Sequence, residues 1–154
     1  MSQSEQVSGN EKRKIRSTTR LYAIQALFQM EQLGLSTDEV VEEFVAHRFG
    51  EEYEEGQLSD GDEALFKSIV EFAVNYQAQI DQLTDRALVK KWPIARIDPT
   101  LRSLFRAAAA EITQIKTPPK IVITEYVALA HAFFTDGKEP NFVNAVLDHM
   151  AREA

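Results

Sequence analysis

The chain has 154 residues and a mass of 17.4 kDa, the size of one domain or of two small halves that share a core. Its composition, 44% apolar and 27% charged, is that of a globular protein, and the scarcity of glycine (6) and proline (5) disfavours sandwiches, barrels and collagen-like chains. Because the chain lacks cysteine, disulfides, cysteine-based zinc sites, iron–sulfur clusters and a cysteine nucleophile are excluded. No apolar stretch is long enough to span a membrane.

The net charge of −7 is unevenly distributed along the chain. Residues 11–20 (EKRKIRSTTR) hold five basic residues and one acid, whereas residues 50–63 (GEEYEEGQLSDGDE) hold seven acids and no base. We interpret the acidic segment as a solvated loop, since its acids lack the alternating spacing of an EF-hand calcium loop. The basic segment predicts a local contact with a polyanion.

The N-terminal part of the chain predicts a tail followed by two helices. Residues 1–11 are polar and predict a disordered tail. From about residue 13, apolar residues recur at helical spacing until Gly34, which is a candidate C-cap. A capping box from Ser36 to Glu39 then opens a second helix, which Gly50 ends.

The middle of the chain predicts a long helical run with an interruption. The run begins at Asp62 and continues for nearly thirty residues, so we expect a break between Asn75 and Gln79. Trp92-Pro93 ends the run. Asp98-Pro99 then starts the next helix, with the aspartate as N-cap and the proline at the first helical position.

The C-terminal part predicts two more helices. Pro118-Pro119 ends the preceding helix, and residues 121–134 (IVITEYVALAHAFF) begin with β-branched residues that would suit a strand. No second strand-like run exists to pair with them, so we predict a helix. Asp136-Gly137 predicts a turn, and Pro140 opens the last helix. The chain is therefore expected to be all-α, with six or seven packed helices and no sheet.

Nothing in the sequence indicates an enzyme. It has no zincin, dinucleotide-binding, P-loop or nucleophile-elbow motif, and its three histidines lack metal-ligand spacing, so no catalytic residue, cofactor or metal is predicted. Glu111 and Glu125 interrupt apolar stretches. Because a buried carboxylate must be satisfied, we expect them to form structural ion pairs with Arg102 or Arg106.

The basic segment predicts a phosphate-binding stripe. Arg13, Arg16 and Arg20 are spaced by three and four residues, so a helix places them in one line. We expect their guanidinium forks to point to solvent, where each can donate two parallel hydrogen bonds to a phosphate. Cations in a first turn oppose the helix dipole, which favours a ligand over the alternative, a merely solvated helix start.

A second patch combines Lys120, after the double proline, with Phe142 at the start of the last helix. Asn141 and Asn144 flank this phenylalanine. A nucleobase can stack on an exposed phenyl ring and hydrogen-bond to an adjacent amide. The alternative interpretation makes Phe142 a core residue.

Four segments together carry a resemblance to a known family. They are residues 20–28 (RLYAIQALF), 104–111 (LFRAAAAE), 118–127 (PPKIVITEYV) and 142–148 (FVNAVLD). In this order and spacing the chain resembles the NusB family of bacterial transcription antitermination factors, over residues of about 13–152.

The resemblance implies a single all-helical RNA-binding domain, residues 12–154, built of two perpendicular three-helix bundles at about 13–78 and 80–152. It also implies a cytoplasmic factor without enzymatic activity. Such a factor binds the single-stranded boxA RNA of ribosomal RNA leaders. It pairs with NusE, a small-subunit ribosomal protein, and joins an RNA polymerase antitermination complex.

The resemblance also implies a set of RNA contacts. The family's contacts carry over to Arg16, Arg20, Lys120, Phe142 and Asn144, and charge alone adds the neighbours Arg13 and Lys14. Two alternatives stay open: a helical protein-interaction adaptor to which RNA binding is incidental, and a helical module like the one that precedes the catalytic part of a ribosomal RNA cytosine methyltransferase. The sequence leaves open whether the free protein is a monomer or a homodimer.

Overall fold

The computed structural model describes residues 9–50, 52–53, 56–57, 60–88, 97–135 and 137–154. These ranges contain seven α-helices, so the predicted all-α class is confirmed. The helices are α1 (Gly9–Leu33), α2 (Thr37–Glu43), α3 (Glu63–Asn75), α4 (Gln77–Ala87), α5 (Pro99–Ala110), α6 (Pro119–Phe133) and α7 (Glu139–Glu153). Two π-helical turns, Phe44–Arg48 and Glu111–Ile115, continue α2 and α5.

The acidic segment contains one departure from the expectation of no sheet. Strands β1 (Glu52–Tyr53) and β2 (Gly56–Gln57) pair antiparallel, with Glu52 opposite Gln57 and Tyr53 opposite Gly56. Within the described ranges no third strand joins them. A ladder of two residues needs no alternating apolar run, so a search for strand periodicity misses it.

Most helix ends follow from short-range sequence signals. Gly34 has φ +68° and ends α1, as a glycine C-cap should, because it carries no Cβ to clash in the left-handed region. Ser36 Oγ accepts a hydrogen bond from the backbone N–H of Glu39 at 3.2 Å at the start of α2. Asp98 accepts from the N–H of Thr100 at 2.7 Å at the start of α5. These capping predictions are confirmed.

Helix α1 begins earlier than predicted. Gly9 is already helical, so residues 9–11 do not belong to the expected disordered tail, and residues 1–8 lie outside the described part. Adding a residue to an existing helix costs little free energy. Glu11 stabilises the first turn because its negative charge is attracted to the positive, N-terminal end of the helix dipole. The basic residues lie beyond this turn, so the predicted dipole penalty for a cationic first turn is largely avoided.

The predicted interruption of the long helical run is confirmed. α3 ends at Asn75 and α4 begins at Gln77, with Tyr76 between them at φ −113° and ψ 22°. The helix predicted over residues 121–134 is also confirmed, as α6. The signals at Trp92-Pro93 and Asp136 lie outside the described residues.

Helix α5 lies at the centre of the helical packing. It contacts α1, α3 and α4, which precede it in the chain, and α6 and α7, which follow it. Its last four residues are alanines, Ala107–Ala110, each with 0% exposure, and such short side chains let neighbouring helices approach closely. The division into two three-helix bundles stays a prediction, because α5 contacts helices of both expected halves.

An aromatic cluster fixes the N-terminal helices against each other. The ring centroids of Tyr22 and Phe49 are 4.8 Å apart in a stacked pair, and those of Phe44 and Phe66 are 5.5 Å apart. Tyr22, Phe44 and Phe66 have 0% exposure.

None of the helices in the described ranges has the combined length and apolar character that crossing a bilayer requires.

Candidate nucleic-acid interface

A groove between α1 and the start of α6 brings the arginine stripe of α1 close to Lys120. It has a volume of about 600 Å³, and its rim carries Arg13 and Arg16 from α1 and Lys120 from α6. The structure therefore places Lys120, which the sequence grouped with Phe142, beside the arginine stripe of α1 instead. We call this surface the α1–α6 groove; its other lining residues are Gly9, Arg20, Leu65, Glu111, Thr117, Ile121, Thr124 and Glu125.

The cations of this region are exposed and largely uncompensated. Arg13 keeps 66% of its side chain exposed, and Lys14, Arg16 and Lys120 are also exposed. Across the described residues, Lys14, Arg16 and Lys120 form no ion pair. Their positive charges therefore remain available to an anion, although the chain as a whole is acidic.

Arg20 is the correction to the predicted stripe. Its side chain is 4% exposed, and its Nε and Nη2 donate to the two carboxylate oxygens of Glu111 at 2.7 and 3.0 Å. The fork that was expected to point to solvent therefore faces the interior. The reason is helical geometry. Arg20 lies one turn before Ile24, which is 1% exposed, so Arg20 is on the face of α1 that packs against the core.

The carboxylate of Glu111 is saturated by hydrogen-bond donors from three parts of the chain. Besides Arg20, the hydroxyl of Tyr126 donates to it at 2.6 Å and that of Thr117 at 2.9 Å. Burial, reinforced by the charge of Glu111, raises the pKa of Tyr126 well above its usual range. Burial alone would lower the pKa of Arg20, but the hydrogen bond to Glu111 and its charge outweigh that effect and raise it. This network joins α1 and α6 beneath the groove.

Glu125 holds the exposed end of the arginine stripe. Its Oε1 accepts from Nε of Arg13 at 3.2 Å, and its Oε2 accepts from the hydroxyl of Ser17 at 2.6 Å. The Glu125 side chain is 10% exposed. One carboxylate of α6 therefore fixes two side chains of α1 at the edge of the α1–α6 groove.

The predicted partners of Glu111 and Glu125 were wrong. Both glutamates form ion pairs, but with α1, whereas Arg102 and Arg106 pair elsewhere. Glu111 lies five residues after Arg106, about 140° around the helix, so the two side chains leave α5 on different faces. Arg102 and Arg106 both bind Glu31, and Arg106 also binds Asp81 through Nη2 at 2.8 Å.

The structure does not bring the α7 residues to the α1–α6 groove. Phe142 is half-buried and packs edge-to-face on Phe105, with ring centroids 5.9 Å apart and planes at 77°. Asn144 is exposed, and neither residue lines the groove. One part of the phenyl ring thus belongs to the core, as the alternative interpretation held, and a role in base stacking stays a prediction.

Several residues of the site carry no signal of their own in the sequence. Ser17 and Thr117 are hydroxyls that bind the two buried carboxylates, and Ile121 places a 46% exposed apolar side chain in the groove. The sequence pointed to this region through its basic residues and through Glu111 and Glu125, which interrupt apolar runs, but not through these three side chains. In the described part of the chain, no three His, Asp or Glu side chains are placed to hold a metal.

Comparison with known proteins shows the same family throughout. A model described as the NusB family matches residues 17–152. The chain is 42% identical over 150 residues to a transcription antitermination protein NusB from Granulibacter bethesdensis, covering 94% of this chain and 91% of that protein. It is 43% identical over 139 residues to the Agrobacterium fabrum protein of the same name, covering 90% and 84%.

Solved structures share the fold. The T. maritima NusB structure superposes with a TM-score of 0.73 at 26% identity, covering 90% of this chain and 91% of that one. A structure of antitermination factors NusB and NusE in complex with double-stranded RNA gives a TM-score of 0.74, covering 96% and 100%; at 22% identity it shows the fold alone. Since the family model spans most of the sequence, the chain belongs to the NusB family of transcription antitermination proteins.

Proposed function

We propose that the chain binds the boxA RNA of ribosomal RNA leaders as a single strand, together with NusE, within an RNA polymerase antitermination complex. The observation that carries the RNA-binding part is the cluster of exposed cations on the α1–α6 groove, of which Arg16 and Lys120 have no ion-pair partner in the described ranges. The curated relatives are named antitermination proteins, and one structural neighbour contains NusB, NusE and RNA.

The groove suits a ribose-phosphate backbone. Arginine forks bind phosphate oxygens in pairs, and a lysine adds a mobile point charge. The chain carries a net charge of −7, so long-range attraction to RNA is weak and the binding energy comes from these local contacts. We assign phosphate contacts to Arg13, Lys14, Arg16 and Lys120.

The remaining predicted site residues take different roles. Asn144 is exposed on α7 and is assigned to a base edge, and the exposed part of the Phe142 ring to base stacking. Arg20 is assigned no direct contact, because its guanidinium is committed to Glu111; it holds α1 in position instead.

The salt dependence of RNA affinity tests the assignment of the cations. Four phosphate contacts to a single strand give a slope of log affinity against log salt of about −3. The double substitution Arg16→Ala and Lys120→Ala should reduce its magnitude by about 1.4. Arg152→Ala removes another exposed cation, from the last turn of α7, and serves as the control. A slope near zero, or one that the double variant leaves unchanged, contradicts the proposal.

A second groove supports the protein-partner part of the proposal. It has a volume of about 490 Å³, and its apolar lining residues are Ile24, Phe28, Leu33, Phe44 and Phe133. Its polar lining residues are Gln25, Gln29, Gln32, Arg48 and Thr100. Within it Phe28 is 37% and Leu33 64% exposed, and exposed apolar side chains in one groove are typical of protein-interaction sites. We assign NusE to this apolar groove; a homodimer formed through the same face would compete with NusE.

Leu33→Asp tests that assignment. The charge should abolish NusE binding and any self-association while the RNA affinity of the chain alone is unchanged, because Leu33 does not line the α1–α6 groove. Binding of boxA, a scrambled single strand and a double strand is then measured with and without NusE. Equal affinity for boxA and scrambled RNA in the presence of NusE favours the adaptor alternative over the proposed function.

A further inference from the structure

We propose that Glu125 is a positioning residue for RNA binding, which together with Ser17 holds the Arg13 guanidinium ready for a phosphate. The proposal rests on the RNA-binding function assigned to the α1–α6 groove. It gives an acidic side chain, which repels RNA by its charge, a role that favours RNA binding.

The contacts of Glu125 divide its carboxylate between the two α1 side chains. Oε1 accepts from Nε of Arg13 at 3.2 Å and Oε2 accepts from Oγ of Ser17 at 2.6 Å. With both oxygens engaged and 10% of the side chain exposed, the carboxylate is turned toward protein donors rather than toward a ligand in the groove.

The same contacts leave the useful edge of Arg13 free. Among the residues that the structure describes, Arg13 donates a side-chain hydrogen bond through Nε alone, while the side chain stays 66% exposed and lines the groove. A guanidinium binds a phosphate through two parallel N–H groups, and the edge formed by its two Nη groups remains available for this. Holding Nε before RNA arrives reduces the rotamer entropy that Arg13 loses on binding.

Ser17 supplies a second contact between α1 and the Glu125 carboxylate of α6. Its position, four residues after Arg13, places both side chains on one face of α1, opposite the same carboxylate of α6. Without the hydroxyl, Glu125 would lose one of its two donors and rotate more freely. The serine therefore fixes the carboxylate, and the carboxylate fixes the arginine.

Charge and positioning predict opposite effects for Glu125→Gln. Removing a negative charge beside a polyanion site tightens binding by Coulomb attraction alone. Removing the group that orients Arg13 weakens it. The sign of the change in affinity therefore separates the two.

The experiment measures the affinity of the full chain for a boxA oligonucleotide at fixed salt. We expect Glu125→Gln to weaken binding about three- to tenfold, and Ser17→Ala, which changes no charge, to weaken it by a smaller factor. Glu42→Gln makes the same charge change at an exposed position of α2 outside the groove and should leave affinity unchanged or slightly higher. Thermal unfolding of each variant reports its folding.

A double-mutant cycle completes the test. In the Arg13→Ala background, Glu125→Gln should cause no further loss, because nothing remains to be positioned. If Glu125→Gln leaves affinity unchanged or tightens it while Arg13→Ala weakens it, or if its loss is the same in both backgrounds, the positioning role is wrong. If Arg13→Ala itself leaves affinity unchanged, Arg13 makes no phosphate contact and this inference fails, whereas the proposed function fails only if the Arg16→Ala and Lys120→Ala double variant also leaves affinity unchanged.

Discussion

Arg20 and Glu111 lie 91 positions apart in the sequence and form a bidentate ion pair in which the two side chains are 4% and 0% exposed. The pair joins α1 to the π-helical turn after α5. Two interior charges are tolerated here because the carboxylate of Glu111 accepts hydrogen bonds from Arg20, Thr117 and Tyr126. Arg20, which the sequence suggested as an RNA contact, therefore stabilises the packing of two helical segments.

Glu111→Gln should lower the free energy of unfolding by about 3–5 kcal/mol, since it leaves a buried guanidinium without its counter-charge. Urea unfolding measures the change. Asp148→Ala removes the exposed pair with Arg152, whose side chains are 55% and 73% exposed, and should cost less than about 1 kcal/mol. Equal effects of the two substitutions would show that the buried pair has no special weight.

Alkaline pH should destabilise the protein through Tyr126. Its pKa in the folded state is raised well above 10.0 by burial and by Glu111, whereas the unfolded chain has the ordinary value. Above about pH 10 the unfolded state releases a proton that the folded state retains, so the free energy of unfolding falls as pH rises. Below that pH this contribution is fully present.

Tyr126→Phe isolates this effect. At neutral pH the free energy of unfolding of the variant should be about 1–3 kcal/mol lower than that of the wild type, because Glu111 loses a hydrogen-bond donor. This difference should narrow from roughly pH 10 upward, because the wild type loses stability there. Unfolding curves over that range measure the difference. A difference in unfolding free energy that does not change with pH would mean that Tyr126 has the same pKa in the folded and unfolded states.

Acid should destabilise the protein through Glu31. Its hydrogen bond with Arg102, aided by the charges of both arginines, lowers the pKa of Glu31 below 4.5, although partial burial opposes this. The stabilisation is present above the unfolded value of about 4.5 and is lost as pH falls through the folded value. Glu31→Gln should remove this acid dependence and cost about 1 kcal/mol near neutrality.

Urea unfolding between roughly pH 3 and pH 7 measures the acid dependence of the wild type and of Glu31→Gln. Glu42→Gln is the matched control, because this exposed glutamate forms no ion pair within the described ranges. Its free energy of unfolding should depend on pH as steeply as that of the wild type. A Glu31 variant with that same pH dependence would show that the arginine cluster contributes nothing to acid sensitivity.

Phe142 permits a separation of packing from stacking. Phe142→Ala should cost about 1–3 kcal/mol of stability through lost packing on Phe105, less than a fully buried phenylalanine. Phe142→Leu keeps apolar volume without a π face, so it should cost less than about 1.5 kcal/mol of stability and yet lose about 1–3 kcal/mol of RNA affinity. Wild-type RNA affinity of the leucine variant would assign the ring to packing alone.

The helices could be predicted because their signals are local. The cap at Ser36 and the glycine end at Gly34 depend on residues within a few positions of each other, whereas the interruption at Tyr76 was predicted from the length of the helical run. The π-helical turns after α2 and α5 have no such signal. The first turn of α1 was missed because its polar residues resemble a tail.

The ion pairs could be predicted only in part, because which residues meet depends on tertiary packing. Glu111 and Glu125 stood out as carboxylates within apolar runs, and a charge there needs a partner. The sequence supplies many arginines, and only the approach of α1 to the end of α5 and to α6 selects Arg20 for Glu111 and Arg13 for Glu125. The same approach brings Arg16 and Lys120 to one groove, whereas Phe142 on α7 lies against Phe105.

Helix α1 runs without interruption from Gly9 to Leu33 and carries residues of both proposed binding grooves. At a rise of about 1.5 Å per residue, Arg16 and Leu33 are held about 26 Å apart. This separation exceeds the Debye length of about 8 Å at physiological salt, so a charge bound at one end is screened from the other. Direct charge attraction along α1 therefore cannot couple the two proposed ligands, RNA and NusE, and the rigid length of the helix holds their sites at a fixed separation.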